Sequence, residues 1–169
     1  MATREFKVLF LCTGNSARSI LAEALLNHLG EGRFQAFSAG SHPKGQVHPI
    51  ALGLLRERGI PTDGLRSKGW EEFAAADAPV MDLVVTVCDN AAGEVCPIWP
   101  GQPTTAHWSL QDPAAVKGTE TERMRAFERA ARELETRIRL LTVLRLDRPN
   151  TSNLKERLEQ IGRGGNEEN

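Results

Sequence analysis

The 169-residue chain has no tyrosine, only six phenylalanines and three tryptophans, and only three cysteines. Long apolar runs are also missing. Stretches such as Val8–Cys12 and Leu83–Cys88 fall far short of the roughly 20 residues that span a bilayer. The run Val8-Leu9-Phe10-Leu11 is too short for a signal-peptide core, and the bulky Phe10-Leu11 stands where a cleavage site needs small residues. No charge sign dominates. Lys and Arg total 21 against 22 Asp and Glu, a net charge of -1, which argues against nucleic acid or a membrane surface as a partner. These absences point to a cytoplasmic protein, expected to be a monomer. In a reducing compartment, three cysteines suit catalytic, redox or metal-binding work better than structural disulfides, and the odd count excludes complete pairing.

What is present suffices for one α/β domain. Apolar residues make up 40% of the chain and charged residues 25%, a soluble globular balance with enough material for a core. Phe6–Cys12 is a near-continuous apolar run, the pattern of a strand buried on both faces. Ser16–Leu29 follows as a helix stopped by Gly30 and Gly32. Arg33–Ala39 alternates as a strand, and Val47–Arg58 reads as a helix closed by Gly59 and Pro61. A short helix is expected at Gly69–Ala76, a central strand at Met81–Cys88 and a weaker strand at Thr104–Trp108. In Glu120–Leu144, Met124, Phe127, Ala131, Leu134, Ile138 and Leu141 step by three and four, so this helix packs on the sheet. The expected domain covers residues 1–146. Residues 147–169 form a polar C-terminal tail, partly disordered, with a short helix near Asn153–Ile161. Alternating strands and helices imply a parallel sheet of four strands with helices on both faces, and ligands bind at the carboxyl ends of such strands. Cys12 and Cys88 both fall there.

The segment Cys12-Thr13-Gly14-Asn15-Ser16-Ala17-Arg18-Ser19 joins the first strand to the first helix with a C-x5-R spacing. Five intervening residues can wrap one tetrahedral oxyanion with inward backbone N–H groups. Gly14 is expected to supply a backbone angle that a side chain would hinder. Arg18 can close the cradle with two parallel charge-assisted hydrogen bonds. Asn15 can brace the loop, and Ser19 can donate to a thiolate. A free thiol with an ordinary pKa is only about 3% ionised at pH 7. The N–H groups, the helix N-terminus and Arg18 are expected to lower that pKa, which makes Cys12 a nucleophile candidate by placement.

Departure of an oxygen from such a site needs a proton donor. Asp112-Pro113 lies in a loop after the fourth strand, although Asp-Pro is also a common turn dipeptide. Cys88 and Cys96 remain. They could be a structural pair, metal ligands with His107, or a thiol–disulfide exchange pair on a Gly- and Pro-punctuated loop. Cytosolic residence disfavours the first reading. The C-x7-C spacing and a missing fourth ligand disfavour a metal, so none is expected. His28, His42 and His48 read as surface or cap residues. Trp99 and Trp108 read as core or lid packing.

FLCTGNSARS near the N-terminus resembles the low-molecular-weight protein tyrosine phosphatases and the arsenate reductases of the same fold, and the likeness runs from Lys7 to Leu144. It implies a four-stranded parallel sheet with Cys12 as nucleophile, Arg18 as oxyanion clamp and Asp112 as acid. Ala114 follows Asp112-Pro113 where phosphotyrosine enzymes carry an aromatic residue, which suits a small inorganic anion. The segment VVTVCDN…CPIWP…HW…DPA resembles arsenate reductases with three redox cysteines, in which Cys88 and Cys96 carry the relay. The resemblance implies reduction of arsenate to arsenite for arsenic detoxification, with phosphate or sulfate as competing anions. It implies no bound cofactor, the electrons coming from thioredoxin or from a glutaredoxin and low-molecular-weight thiol system. A phosphatase for phosphotyrosine or small phosphoesters and a non-catalytic arsenic sensor are the alternatives. In related reductases the positions matched by Asn15, Glu23 and Ser38, together with an acidic residue near the position of Lys68, can hold a monovalent cation. Lys68 stands there instead, so no essential potassium is expected.

Overall fold

Strand β1 (Phe6–Cys12) is the middle of the molecule because every residue from Val8 to Cys12 is buried. A computed structural model describes residues 5–88, 99–144 and 154–164. Four parallel strands, β1, β2 (Phe34–Gly40), β3 (Leu83–Thr86) and β4 (Thr104–His107), stand in the order β2-β1-β3-β4. The fold class expected from the sequence is the one observed. Helix α1 (Arg18–Leu29) follows β1, and α2 (Pro49–Glu57) follows β2. Helix α3 (Glu120–Thr142) and α4 (Leu154–Gly164) complete the chain. No helix among the described residues is long and apolar enough to cross a membrane.

Side-chain alternation on β1 divides the core in two. Val8 and Phe10 face a large cluster that takes in Leu83, Val85, Ala106 and Trp108 of the sheet region and apolar residues of all four helices. Leu9 and Leu11 face a second cluster with Val84, Met81, Trp99 and the short 3-10 turn Trp70–Phe73. Trp70 and Trp99 meet edge to face at 6.3 Å. Trp99 and Trp108 are therefore both core residues, and the Gly69–Ala76 segment is a single 3-10 turn rather than a helix of its full length.

The C-terminal segment, polar by composition, contributes to this core. Leu154, Leu158 and Ile161 of α4 are buried against the sheet and α3. The helix also meets the open edge of β4 with side-chain hydrogen bonds. Glu159 accepts from the His107 backbone N–H at 3.1 Å, and the Lys155 ammonium donates to the Thr105 carbonyl at 2.6 Å. An exposed edge strand invites pairing with another chain, and α4 covers this one. The sequence reading of a polar tail missed the packing because only three spaced apolar residues carry it.

Candidate active site

Parallel pairing brings the ends of β1 and β3 together. Leu11 is level with Thr86, and the Val87 N–H continues the ladder to the Leu11 carbonyl at 2.8 Å. Cys12 and Cys88 consequently emerge side by side, both buried and both as free thiols. Cys12 and Cys88 are within hydrogen-bonding reach of each other. The Thr13 N–H also donates to Cys88 Sγ at 3.3 Å.

Beyond Cys12 the chain does not enter the helix until Arg18, two residues later than the sequence suggested. Residues 13–17 form a loop whose carbonyls are tied down from outside. The N–H groups of His42, Lys44 and His48 donate to the carbonyls of Thr13, Gly14 and Ser16 at 2.9–3.0 Å. In a trans peptide the carbonyl and the following N–H point in opposite directions. The N–H groups of Gly14, Asn15 and Ala17 are thus turned away from this strap. The Asn15 N–H reaches the Cys12 sulfur.

The expected role of Gly14 requires correction. The left-handed residue of the loop is Asn15, with φ at 46°. Asn tolerates this region better than other side chains do. Gly14 instead gives room to Lys44, whose side chain would lie 3.2 Å from an added Cβ. Against the loop, a side chain is excluded at Gly40, where a Cβ would come 2.5 Å from the Thr13 carbonyl and 2.8 Å from that of Cys12.

Asn15 is fully buried and holds its conformation with both ends of its amide. Nδ2 donates to Ser19 Oγ at 2.7 Å and Ser38 Oγ at 3.0 Å, while Oδ1 accepts from the Lys68 N–H at 2.9 Å. Ser38 in turn donates to Glu23 at 2.6 Å. The Lys68 ammonium lies 3.9 Å from the Glu23 carboxylate and donates to the Arg66 carbonyl at 2.8 Å. Burial pushes the Glu23 carboxyl up, against the pull of Ser38 and Lys68. Burial pushes the Lys68 ammonium down, against the pull of Glu23.

Arg18 spans from the loop to the segment after β4. One guanidinium nitrogen donates to the Leu110 carbonyl at 3.0 Å, and the other lies 3.5 Å from Asp112 Oδ2. Asp112 Oδ1 accepts from the Ala114 N–H and caps the short turn Pro113–Ala115. Cys12, Arg18, Asp112 and Cys88 are thereby gathered at the carboxyl ends of the strands, with Thr13, Asn15, Ser16, Ala17 and Ser19 forming the loop around them. Cys96 lies outside the described residues. Among the described residues no group of three or more His, Cys, Asp or Glu could hold a metal ion.

The expectation of a depressed Cys12 pKa does not match this arrangement. The hydrogen bond to Cys88, burial and the neighbouring Cys88 charge push the Cys12 thiol up, while Arg18 and the Asn15 N–H pull it down. The cations and dipoles around Cys12 are legible in the loop sequence, whereas the second sulfur reaches it only through the β1–β3 register. His48 is a cap, as expected: its Nδ1 accepts from the Ile50 N–H and its ring stacks on Phe127 at 4.7 Å. Arg137 was missed altogether. It is buried in the middle of α3 and donates to the Ser109 carbonyl at 2.7 Å. Its signal was a charge on the apolar stripe, three residues after Leu134 and four before Leu141.

Comparison with known proteins places the chain in a family. The family model for low molecular weight phosphotyrosine protein phosphatase matches residues 7–156. An arsenate reductase of Halalkalibacterium halodurans is 38% identical over 133 residues, covering 78% of this chain and 91% of that protein. A solved arsenate reductase in a phosphate-binding state superposes with a TM-score of 0.66 at 30% identity, over 81% of this chain and 96% of the other. A thioredoxin-dependent arsenate reductase of Corynebacterium glutamicum superposes with a TM-score of 0.55 at 29% identity, over 83% of this chain and 65% of the other. With its matched span, its parallel sheet and its C-x5-R loop, the chain belongs to the low molecular weight phosphotyrosine protein phosphatase family.

Proposed function

We propose that this protein reduces arsenate to arsenite, with Cys12 as nucleophile and Cys88 and Cys96 as the disulfide relay. The observation that carries the reading is the contact between two free thiols, Cys12 and Cys88, beside the oxyanion loop. Phosphoester hydrolysis needs one sulfur nucleophile. Two-electron reduction that ends in a disulfide needs a second sulfur within reach of the first.

Arsenate enters the loop against the N–H groups turned away from the 42–48 strap. Its oxygens take the Arg18 fork from Leu110 and Asp112. Ser19, whose oxygen already accepts from Asn15, keeps its hydroxyl hydrogen for an anion. The Cys12 thiolate attacks arsenic, and Asp112 protonates the departing oxygen, which leaves as water. Cys88 then attacks the Cys12 sulfur. The sulfur–arsenic bond breaks with its electron pair staying on arsenic, so As(V) becomes As(III) and arsenite departs. Cys96 attacks Cys88, the Cys12 thiolate is released, and a Cys88–Cys96 disulfide remains for an external dithiol protein to reduce. Lys68 supplies the positive charge beside Glu23, and no potassium is required. Thioredoxin is the proposed donor, supported by the thioredoxin-dependent structural relative.

The testing assay is arsenate-dependent NADPH oxidation with thioredoxin and its reductase, run beside a glutaredoxin-coupled version. The expected result is turnover with thioredoxin that Cys88→Ser abolishes. A phosphatase would hydrolyse phosphoesters with Cys88→Ser unimpaired and show no arsenate turnover. A sensor would bind arsenic stoichiometrically and not turn over.

A further inference from the structure

A buried guanidinium is costly because water solvates its charge well. Arg137 is only 4% exposed, and burial pushes its pKa down, with Glu133 opposing. Its hydrogen bond is to a main-chain carbonyl, that of Ser109, at 2.7 Å. The next carbonyl, that of Leu110, accepts from Arg18 at 3.0 Å. Two cations from different helices therefore grip consecutive carbonyls of the segment that ends in Asp112. Leu110 and Pro113 are themselves buried, and a cleft of about 20 Å³ lies between Leu110, Pro113 and Val116 on one side and Ala126 and Ala130 of α3 on the other.

We infer that Arg137 is a positioning residue for the acid: from the interior of α3 it fixes the Ser109 carbonyl, and so the reach of Asp112 toward the departing oxygen. The two anchors differ in permanence. When an oxyanion takes Arg18, the Leu110 carbonyl loses its partner, and the Arg137 bond to Ser109 is the guanidinium anchor that remains during the chemical step. A misplacement of about 1 Å at a reacting group can cost up to about a hundredfold in rate, so the anchor acts on kcat rather than on anion binding. This inference rests on the arsenate reductase reading, in which Asp112 protonates the oxygen that leaves arsenic.

The test uses Arg137→Met and Arg137→Lys in the full-length chain, each alone and combined with Asp112→Asn. Arg137→Met is expected to lower kcat for arsenate about tenfold with KM within about twofold, and Arg137→Lys to recover most of the loss. In the Asp112→Asn background, Arg137→Met should cost nothing further, since groups acting through one another are not additive. Hydrogen exchange should rise in residues 109–112 of Arg137→Met and stay unchanged in β1. An equal loss with and without Asp112, a KM effect without a kcat effect, or unchanged exchange at 109–112 overturns the inference. If Arg137→Met does not fold, Arg137→Lys against Arg137→Gln carries the same comparison. If the parent protein turns over no arsenate, the functional reading fails, and the exchange contrast still decides whether Arg137 holds the segment.

Discussion

At the residue scale, the loop is governed by what lies behind it. Asn15 occupies a left-handed backbone position and is fixed through Ser19, Ser38 and the Lys68 backbone, with Glu23 and the Lys68 ammonium beneath. Glu23 has its pKa raised by burial, so its contribution to stability is present below its unfolded value and is lost as pH rises through the folded one. Lys68 has its pKa lowered by burial, so its contribution is present above its unfolded value and is lost as pH falls through the folded one. At neutral pH each charge therefore offsets the cost of the other. Lys68→Met removes the cation beside the buried carboxylate and is expected to cost about 3 kcal/mol near pH 7. The loss should shrink toward pH ~4, where Glu23, its pKa raised by burial, already carries its proton. Urea unfolding at both pH values checks this, and an equal loss at both would contradict it. Cys88→Ala removes the neighbour that contributes most to raising the Cys12 thiol. Alkylation of Cys12 at neutral pH should then be faster than in the parent protein, and a slower reaction would show that Cys88 stabilises the Cys12 anion instead of opposing it.

At the scale of elements, periodicity made most of the fold legible. The apolar run Phe6–Cys12 and the stepped residues Phe127, Leu134, Ile138 and Leu141 are found where the patterns put them. The cysteine–arginine spacing likewise located the loop. Contacts between distant segments were not legible. The strap of His42, Lys44 and His48, the close approach at Gly40 and the reach of Arg137 to Ser109 depend on packing that no local spacing encodes. The same limit explains Cys12: its neighbours in sequence argue for an anion, while the sulfur across the sheet opposes one. It also explains α4, whose polar composition conceals the buried side chains of Leu154, Leu158 and Ile161. Leu158→Ala is expected to cost about 3 kcal/mol in denaturant unfolding, as for other buried leucines, because Leu158 is fully buried and its carbonyl accepts from Trp108. No measurable loss would mean that α4 is not part of the folded core in solution.

At the scale of the whole molecule, the parallel sheet is a device for convergence. Its strand order puts β1 and β3 side by side, so their carboxyl ends deliver two thiols to one place, while β4 and α3 bring Asp112 to Arg18 from the other side. The central claim is that electrons reach arsenic through a Cys12–Cys88 linkage. It is tested most directly by a single turnover of Cys96→Ser with excess arsenate, followed by acid quench and mass mapping of the thiols. The account predicts one arsenite released per chain together with a Cys12–Cys88 disulfide. Arsenite released while Cys12 and Cys88 both remain as thiols would contradict it.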